Sequence, residues 1–445
     1  MSVSLRRTLL GLLLAALVLA CDRPGLDRND ASRGEPSRPA GAVATSPDPK
    51  APTRPSPTAA AELALRLSRE LIIVDGHVDL PYRLESSSVG GRLSEDVSVS
   101  APAGNFDYPR ARAGGLDAPF MSIYVPTTYQ TSGGARALAD GLIDMVEKLA
   151  REHPDKFALA ASPDEVRQNS AAGKISLPLG IENGAALEGR VENVAHFRQR
   201  GVSYITLTHG KDNDLGDSAY GGVYTHDGLS PLGARVVKEM NRVGIMIDVS
   251  HASDATLREV LEQSQVPVIA SHSSLRHFVP GFERNLSDAL LERLAQGGGV
   301  VMVNFGSGFL TPEANAVSAQ RLEAAASFAG RHGLDRRKLA DRKQIDDHVS
   351  KLLPMPYASV EDVANHIDRV KARVGVEHVG LGSDFEGVGD TLARGLEDVS
   401  QYPTLLRVLI ERGYTREELE RICSGNVLRV WQRALDFAAA ARPHG

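Results

Sequence analysis

The sequence predicts an α/β protein built as a closed (β/α)8, TIM-like barrel, and three observations carry that reading. Eight short apolar runs punctuate the chain, the segments between them are long enough to hold helices, and most of the runs end in a histidine or an acidic residue. Strands alternating with helices imply parallel pairing within one sheet. Alternation alone also permits an open, doubly wound sheet, which is the alternative.

The first run, residues 71–79, reads LIIVDGHVD. Its short, β-branched character fits a buried parallel strand. Period-two alternation puts Asp75, His77 and Asp79 on one face. Polar groups buried there need partners, since each one left unsatisfied costs roughly 1–3 kcal/mol. Neighbouring backbone is one such partner and a divalent metal is another. The further runs are residues 120–125, 175–182, 204–209, 245–251, 268–272, 300–305 and 379–384. Helix signals fill the gaps: Ser230-Pro231 ahead of Val236, Val237 and Met240, and Ser359-x-x-Asp362 ahead of Val363, Ile367 and Val370. Residues 311–358 read as a polar, mostly helical insert outside the barrel core.

A chain of 445 residues has room for one large barrel or two smaller domains, and 42% apolar with 24% charged residues is ordinary for a globular protein. No repeat and no second linker breaks residues 60–445, which read as a single domain. Ahead of it, Arg6 and Arg7 precede an apolar stretch, residues 9–20, in the order of a signal peptide and too short to span a bilayer comfortably. The stretch ends at Val18-Leu19-Ala20-Cys21, which resembles the lipobox of bacterial lipoproteins. That resemblance implies cleavage after residue 20, lipid on Cys21, and anchoring to a bacterial membrane in the cell envelope, on its periplasmic or extracytoplasmic face. Residues 21–59, rich in Pro, Ser and Ala, read as a disordered tether. Without Arg6 and Arg7, 48 of the 50 basic residues face 56 acidic ones, a net charge of −8 that argues against a nucleic-acid partner. With Cys21 acylated, Cys423 has no internal partner, so no disulfide supports the fold. Cys423 falls with Leu419 and Ile422 on the apolar face of a helix that opens with the capping pattern Thr415-x-x-Glu418.

Six of the eight runs end in His, Asp or Glu: His77 and Asp79, Glu182, His209, His251, His272, and Asp384. In a barrel those ends form the C-terminal mouth, where functional side chains converge. Imidazoles and carboxylates are donors that zinc accepts, and the lack of an available cysteine excludes a thiolate site. This inventory of imidazoles and carboxylates suits two zinc ions. Paired ions hold a hydroxide at neutral pH and stabilise an oxyanion, which is chemistry for hydrolysis.

Several segments, in order, resemble the motifs of the membrane (renal) dipeptidase family of zinc peptidases. They are Asp75-Gly76-His77-Val78-Asp79-Leu80-Pro81, Leu207-Thr208-His209, Ile247-Asp248-Val249-Ser250-His251, Ser271-His272-Ser273-Ser274 with Arg284-Asn285 downstream, Gly382-Ser383-Asp384-Phe385, and Gly425-Asn426-Val427-Leu428-Arg429. The resemblance implies a barrel of the metal-dependent hydrolase type that cleaves dipeptides with a metal-bridging hydroxide. By it, His77 and Asp79 hold one zinc, His251 and His272 the other, and Glu182 bridges them. His209 contacts the substrate and its oxyanion, Arg284 takes the substrate carboxylate with Arg276 as its rival, and Asp384 moves the proton. Val78 stands where the family often has Asn, Tyr82 where it often has Trp, and Asn183-Gly184 where two glycines often follow the glutamate. Another amide or ester hydrolase on the same barrel, such as a lactonase or deacylase, is the runner-up, ahead of a non-catalytic ligand-binding lipoprotein. A homodimer is left open.

Overall fold

A computed structural model of the protein describes residues 55–88, 95–220, 222, 224–335 and 338–441. Cys21 and the segments read as signal peptide and tether, up to residue 54, lie outside the described residues. The first described element is the helix Pro57–Glu70, a few residues ahead of the expected start at Ala60. Its start is set by Ser56, whose hydroxyl accepts from the Ala59 amide, and by Pro57 in the first turn, where a missing N–H costs nothing.

Among the described residues ten strands follow: β1 (Ile73–Val78), β2 (Leu116–Tyr124), β3 (Phe157–Leu159), β4 (Ile175–Leu177), β5 (Leu179–Glu182), β6 (Val202–Thr206), β7 (Met246–Asp248), β8 (Ile269–Ala270), β9 (Val300–Val303) and β10 (Val379–Leu381). Eight of them close into an all-parallel barrel in the order β1-β10-β9-β8-β7-β6-β5-β2, so the closed form holds and the open sheet does not. Each barrel strand falls within or overlaps one of the eight apolar runs. The run 175–182 is not one strand, however. Pro178 interrupts it, because proline has no N–H for a ladder bond, and β4 turns away to pair with β3 in a separate two-stranded sheet while β5 enters the barrel.

Inside the barrel, Val74, Ala118, Phe120, Tyr204, Met246, Ile269, Val300 and Met302 form a packed core. The helix Asn426–Ala440 closes its base by inserting Trp431, whose ring lies 5.3 Å from that of Phe120. The alternate strand residues, among them Ile73, Ile123, Ile181, Ile205 and Ile247, face the outer helices. Helix entry follows the local signals. Ser230 caps Pro231–Val243, and Ser359 with Asp362 forms a capping box for Val360–Val374. The insert is helical, as Pro312–His332 and Leu339–Leu352, and packs Ala325, Ala329, Ile345 and Val349 into a small core of its own. Thr415 and Glu418 box the start of Arg416–Glu420. Cys423 sits fully buried in the π turn Arg421–Gly425 that follows, where burial pushes its thiol up to about 12 and removes it from thiolate chemistry.

Candidate metal centre

At the mouth of the barrel the Glu182 carboxylate, at the end of β5, stands among four imidazoles. Its Oε1 is 3.1 Å from His251 Nε2, 3.3 Å from His209 Nε2 and 3.5 Å from His272 Nε2, while Oε2 is 3.6 Å from His77 Nε2. His77 Nε2 also lies 3.4 Å from Asp79 Oδ2. Three overlapping sets each bring their ligand atoms within 4.8 Å: His77, Glu182 and His272; Glu182, His209 and His251; His77, Asp79 and Asp384. Proximity therefore groups His272 with His77 as readily as with His251, and His209 enters as a further donor. In the two sets that hold His272 and His251, Glu182 is the shared member.

The period-two expectation for β1 fails at one residue. A register irregularity between Asp75 and Val78 breaks the alternation. Asp75 turns to the helix side, where it accepts from the His77 and Ser383 amides and the Tyr402 hydroxyl, so it supports the strand ends and stays out of the mouth. Its neighbour Gly76 has no room for a side chain, because a Cβ there would meet the Ser271 carbonyl oxygen at 2.4 Å.

Three residues of the mouth have positive φ: Asn183 (87°), His251 (68°) and Asp384 (63°). Such backbone is uncommon for non-glycine residues and concentrates at functional sites. Asn183, where the resemblance has a glycine, is held there by its side chain, which donates to Val125 O and accepts from the Ala185 amide. Asp384 is steadied by the Asn304 amide at 2.8 Å. Two residues on, Glu386 accepts from the Asn105 and Phe106 amides and pairs with Arg83 Nε at 2.9 Å, which ties the turn after β10 to the segment ahead of β2.

The two candidate arginines separate cleanly. Arg276 is closed off by a two-bond pair with Asp254, at 2.5 and 2.7 Å, and by the carbonyls of Glu283 and Asn285. Arg284 is buried, donates to Ser273 Oγ (2.6 Å) and His272 O (2.9 Å), and keeps a buried Nε with no partner among the described residues. Its guanidinium lies over the Phe309 ring at 5.3 Å. Tyr124, whose ring lies tilted 4.8 Å from that of His209, and Tyr220, near His251, complete the wall; neither was singled out in the sequence.

The donor set fits divalent cations. Among the described residues His77 Nε2 and Asp79 Oδ1 are buried without hydrogen-bond partners, a costly state that a cation would relieve. Burial raises the Glu182 carboxyl, but the imidazoles of His209 and His77 outweigh it and hold the group well below the usual carboxylate range. Burial, with Arg284 and other imidazoles, pushes His251 and His272 well below ordinary histidine, so both are neutral, the form that ligates metal. His77 moves the other way: burial opposes its charge, yet Tyr204, Asp79 and Glu182 raise it well above ordinary imidazole, and a proton gathers where positive charge is favoured. Burial, with the charges of Asp79 and Glu182, pushes Asp384 up to about 7 against the pull of His77 and Asn304.

A closed parallel barrel whose mouth gathers histidines around a shared carboxylate defines the class of metal-dependent barrel hydrolases. Across residues 61–444 the sequence matches the membrane dipeptidase family, peptidase family M19, and the chain belongs to that family and is a metallodipeptidase. It is 32% identical over 377 residues to an uncharacterised dipeptidase of Schizosaccharomyces pombe, covering 82% of this chain and 81% of that protein. Dipeptidase 3 of Mus musculus is also 32% identical over 377 residues, covering 84% of this chain and 66% of the mouse protein. Among solved structures, the fold is similar to that of a probable dipeptidase from Pseudomonas aeruginosa, with a TM-score of 0.72, 24% identity and coverage of 86% and 100% of the two chains. It is also similar to a Rhodobacter sphaeroides metallopeptidase liganded with a phosphinate mimic of the dipeptide L-Ala-D-Ala, with a TM-score of 0.64, 23% identity and coverage of 82% and 99%.

Proposed function

We propose that the protein is a zinc-dependent dipeptidase with two ions, one held by His77 and Asp79, the other by His251 and His272, with Glu182 shared between them. The observation that carries this reading is the position of Glu182, whose two oxygens face different sets of imidazoles. When bound, the ions supply the Lewis acidity that polarises a scissile carbonyl and lowers the pKa of water. The chain's own residues account for the rest. The Nε of Arg284, unpartnered among the described residues, offers a charge-assisted bond to the substrate's free carboxylate, which is the feature that separates a dipeptide from a lactone. His209, half-buried at the rim and 3.3 Å from Glu182, is within reach of the substrate and of charge developing on its carbonyl oxygen. Asp384 stands at the mouth beside His77 and Asp79, where it can take the proton released from the attacking water and pass it to the leaving amine, since an amide anion is too basic to depart unprotonated.

A screen of zinc-loaded protein against a dipeptide library, with L and D residues at the second position, tests the reading. Release of free amino acids from dipeptides, much faster than cleavage of their C-terminal amides, supports it. Turnover confined to lactones or N-acyl amines would favour the other hydrolase reading.

The N-terminal sequence supports a lipoprotein, with Cys21 acylated and the catalytic domain held off a bacterial membrane by the Pro-rich tether. Wild type grown with a fatty-acid analogue should carry the label and Cys21→Ser should not. An unlabelled wild type would remove the anchor.

A further inference from the structure

Two buried hydroxyls sit behind the metal-facing histidines, and the proton count at each is closed. Tyr204 projects from β6 into the barrel interior, and its hydroxyl contacts both His77 Nδ1 (2.9 Å) and the Gly76 carbonyl oxygen (3.0 Å). A carbonyl only accepts, so the single phenolic proton goes to Gly76 O. The bond to His77 must then be donated by the imidazole, which places a hydrogen on Nδ1. The second hydroxyl repeats the logic. Ser271 Oγ donates to Asp248 Oδ2 at 2.6 Å, an acceptor only, and therefore receives the hydrogen on His272 Nδ1 at 2.8 Å. Both rings are left with Nε2 as the atom turned toward Glu182.

Space has been cleared for the tyrosine. Gly180 lies against its ring so closely that a Cβ would come within 2.0 Å of Tyr204 Cζ. Below, Phe120 packs at 5.3 Å from Tyr204 and Trp431 at 5.3 Å from Phe120, so a fully buried aromatic column runs from the base of the barrel to the back of His77. His251 and His209 have no such support: the Nδ1 of each is buried without a partner among the described residues.

We infer that Tyr204 and the Ser271–Asp248 pair are positioning residues that fix His77 and His272 in the Nδ1–H form and aim Nε2 at the metal, each serving a different ion. This rests on the two-ion reading above. Hydrogen bonds behind ligating histidines raise ligand basicity and remove rotational freedom, and losing one typically costs 10–100-fold in metal affinity. Tyr204 keeps its place in the column as phenylalanine, so Tyr204→Phe removes the hydroxyl and little else.

The test is zinc binding to chelator-stripped full-length protein, measured by competition with a chromophoric chelator, with the unfolding midpoint of the metal-free protein recorded for each variant. Tyr204→Phe is expected to weaken one of two zinc equivalents by about 10–100-fold, more than its modest lowering of the metal-free midpoint accounts for, and Ser271→Ala to weaken the other. In an Asp79→Asn background, Tyr204→Phe should add less than its full effect, because both act on the same ion. Variants that bind both equivalents as wild type does would overturn the inference, as would full additivity with Asp79→Asn or a loss of affinity that merely tracks a lowered metal-free midpoint. Wild type that takes up fewer than two equivalents would instead overturn the two-ion reading.

Discussion

Glu182 Oε1 lies 3.1 Å from His251 Nε2, while the other oxygen of the same carboxylate faces His77. One side chain on β5 thus reaches residues from opposite parts of the mouth. The carboxylate is held ionised by the imidazoles around it, against a burial cost that would otherwise neutralise it.

On the two-zinc reading proposed above, Glu182→Gln should weaken both equivalents, not one. The amide keeps the shape but removes the negative charge that offsets repulsion between two dications. Chelator competition on the variant reads this directly. Selective loss of a single equivalent would mean that Glu182 serves one ion and that the division among the other ligands must be redrawn.

Asp384→Asn should retain both metals and bind dipeptide about as well as wild type, yet lose roughly 10²–10⁴ in turnover, the usual worth of general acid–base catalysis. Asparagine tolerates the positive φ at this position and can still accept from Asn304, so the fold has no reason to change. Zinc content measured beside kcat distinguishes the roles: metal lost in step with activity would make Asp384 a ligand.

Arg284→Gln should raise KM for dipeptides far more than Arg276→Gln does. Arg276 is already neutralised by Asp254, whereas the Nε of Arg284 has no partner among the described residues. The expected loss in kcat/KM is on the order of 10- to 100-fold, in keeping with about 1.5–3 kcal/mol for a charge-assisted bond. The effect should vanish for C-terminally amidated dipeptides; equal losses on both substrates would remove Arg284 from carboxylate recognition.

His366 predicts an acid-sensitive stability apart from the site. Its Nδ1 accepts from the Leu275 amide and its Nε2 faces the Leu310 carbonyl, which fixes a neutral ring. Burial pushes it down to about 4, only partly offset by Leu310 and Asp362, with His277 acting in the same sense as burial. The unfolded ring titrates near 6.5, so the unfolded chain takes up a proton first as pH falls. Stability is full above about pH 6.5 and declines toward pH 4, by up to about 3 kcal/mol from this group. Urea midpoints of metal-free protein across that range should fall less steeply in His366→Gln than in wild type, and equal slopes would refute the assignment.

The sequence by itself determined the eight strands, the helix starts at Ser230, Ser359 and Thr415, and the histidines and carboxylates that meet at the mouth. These features are governed by chain neighbours: apolar period, capping geometry, and the position of a residue at the end of its own run. Only the tertiary structure decided that the sheet closes, that Asp75 turns away from the mouth, that β4 leaves the barrel at Pro178, and that Arg284 and not Arg276 keeps a donor unpartnered among the described residues. It alone also revealed Tyr204 behind His77, a contact between residues 127 positions apart. The physical reason is common to all five. Which partner a polar group finds depends on what packing brings against it, and in a closed parallel barrel neighbouring strands come from distant parts of the chain.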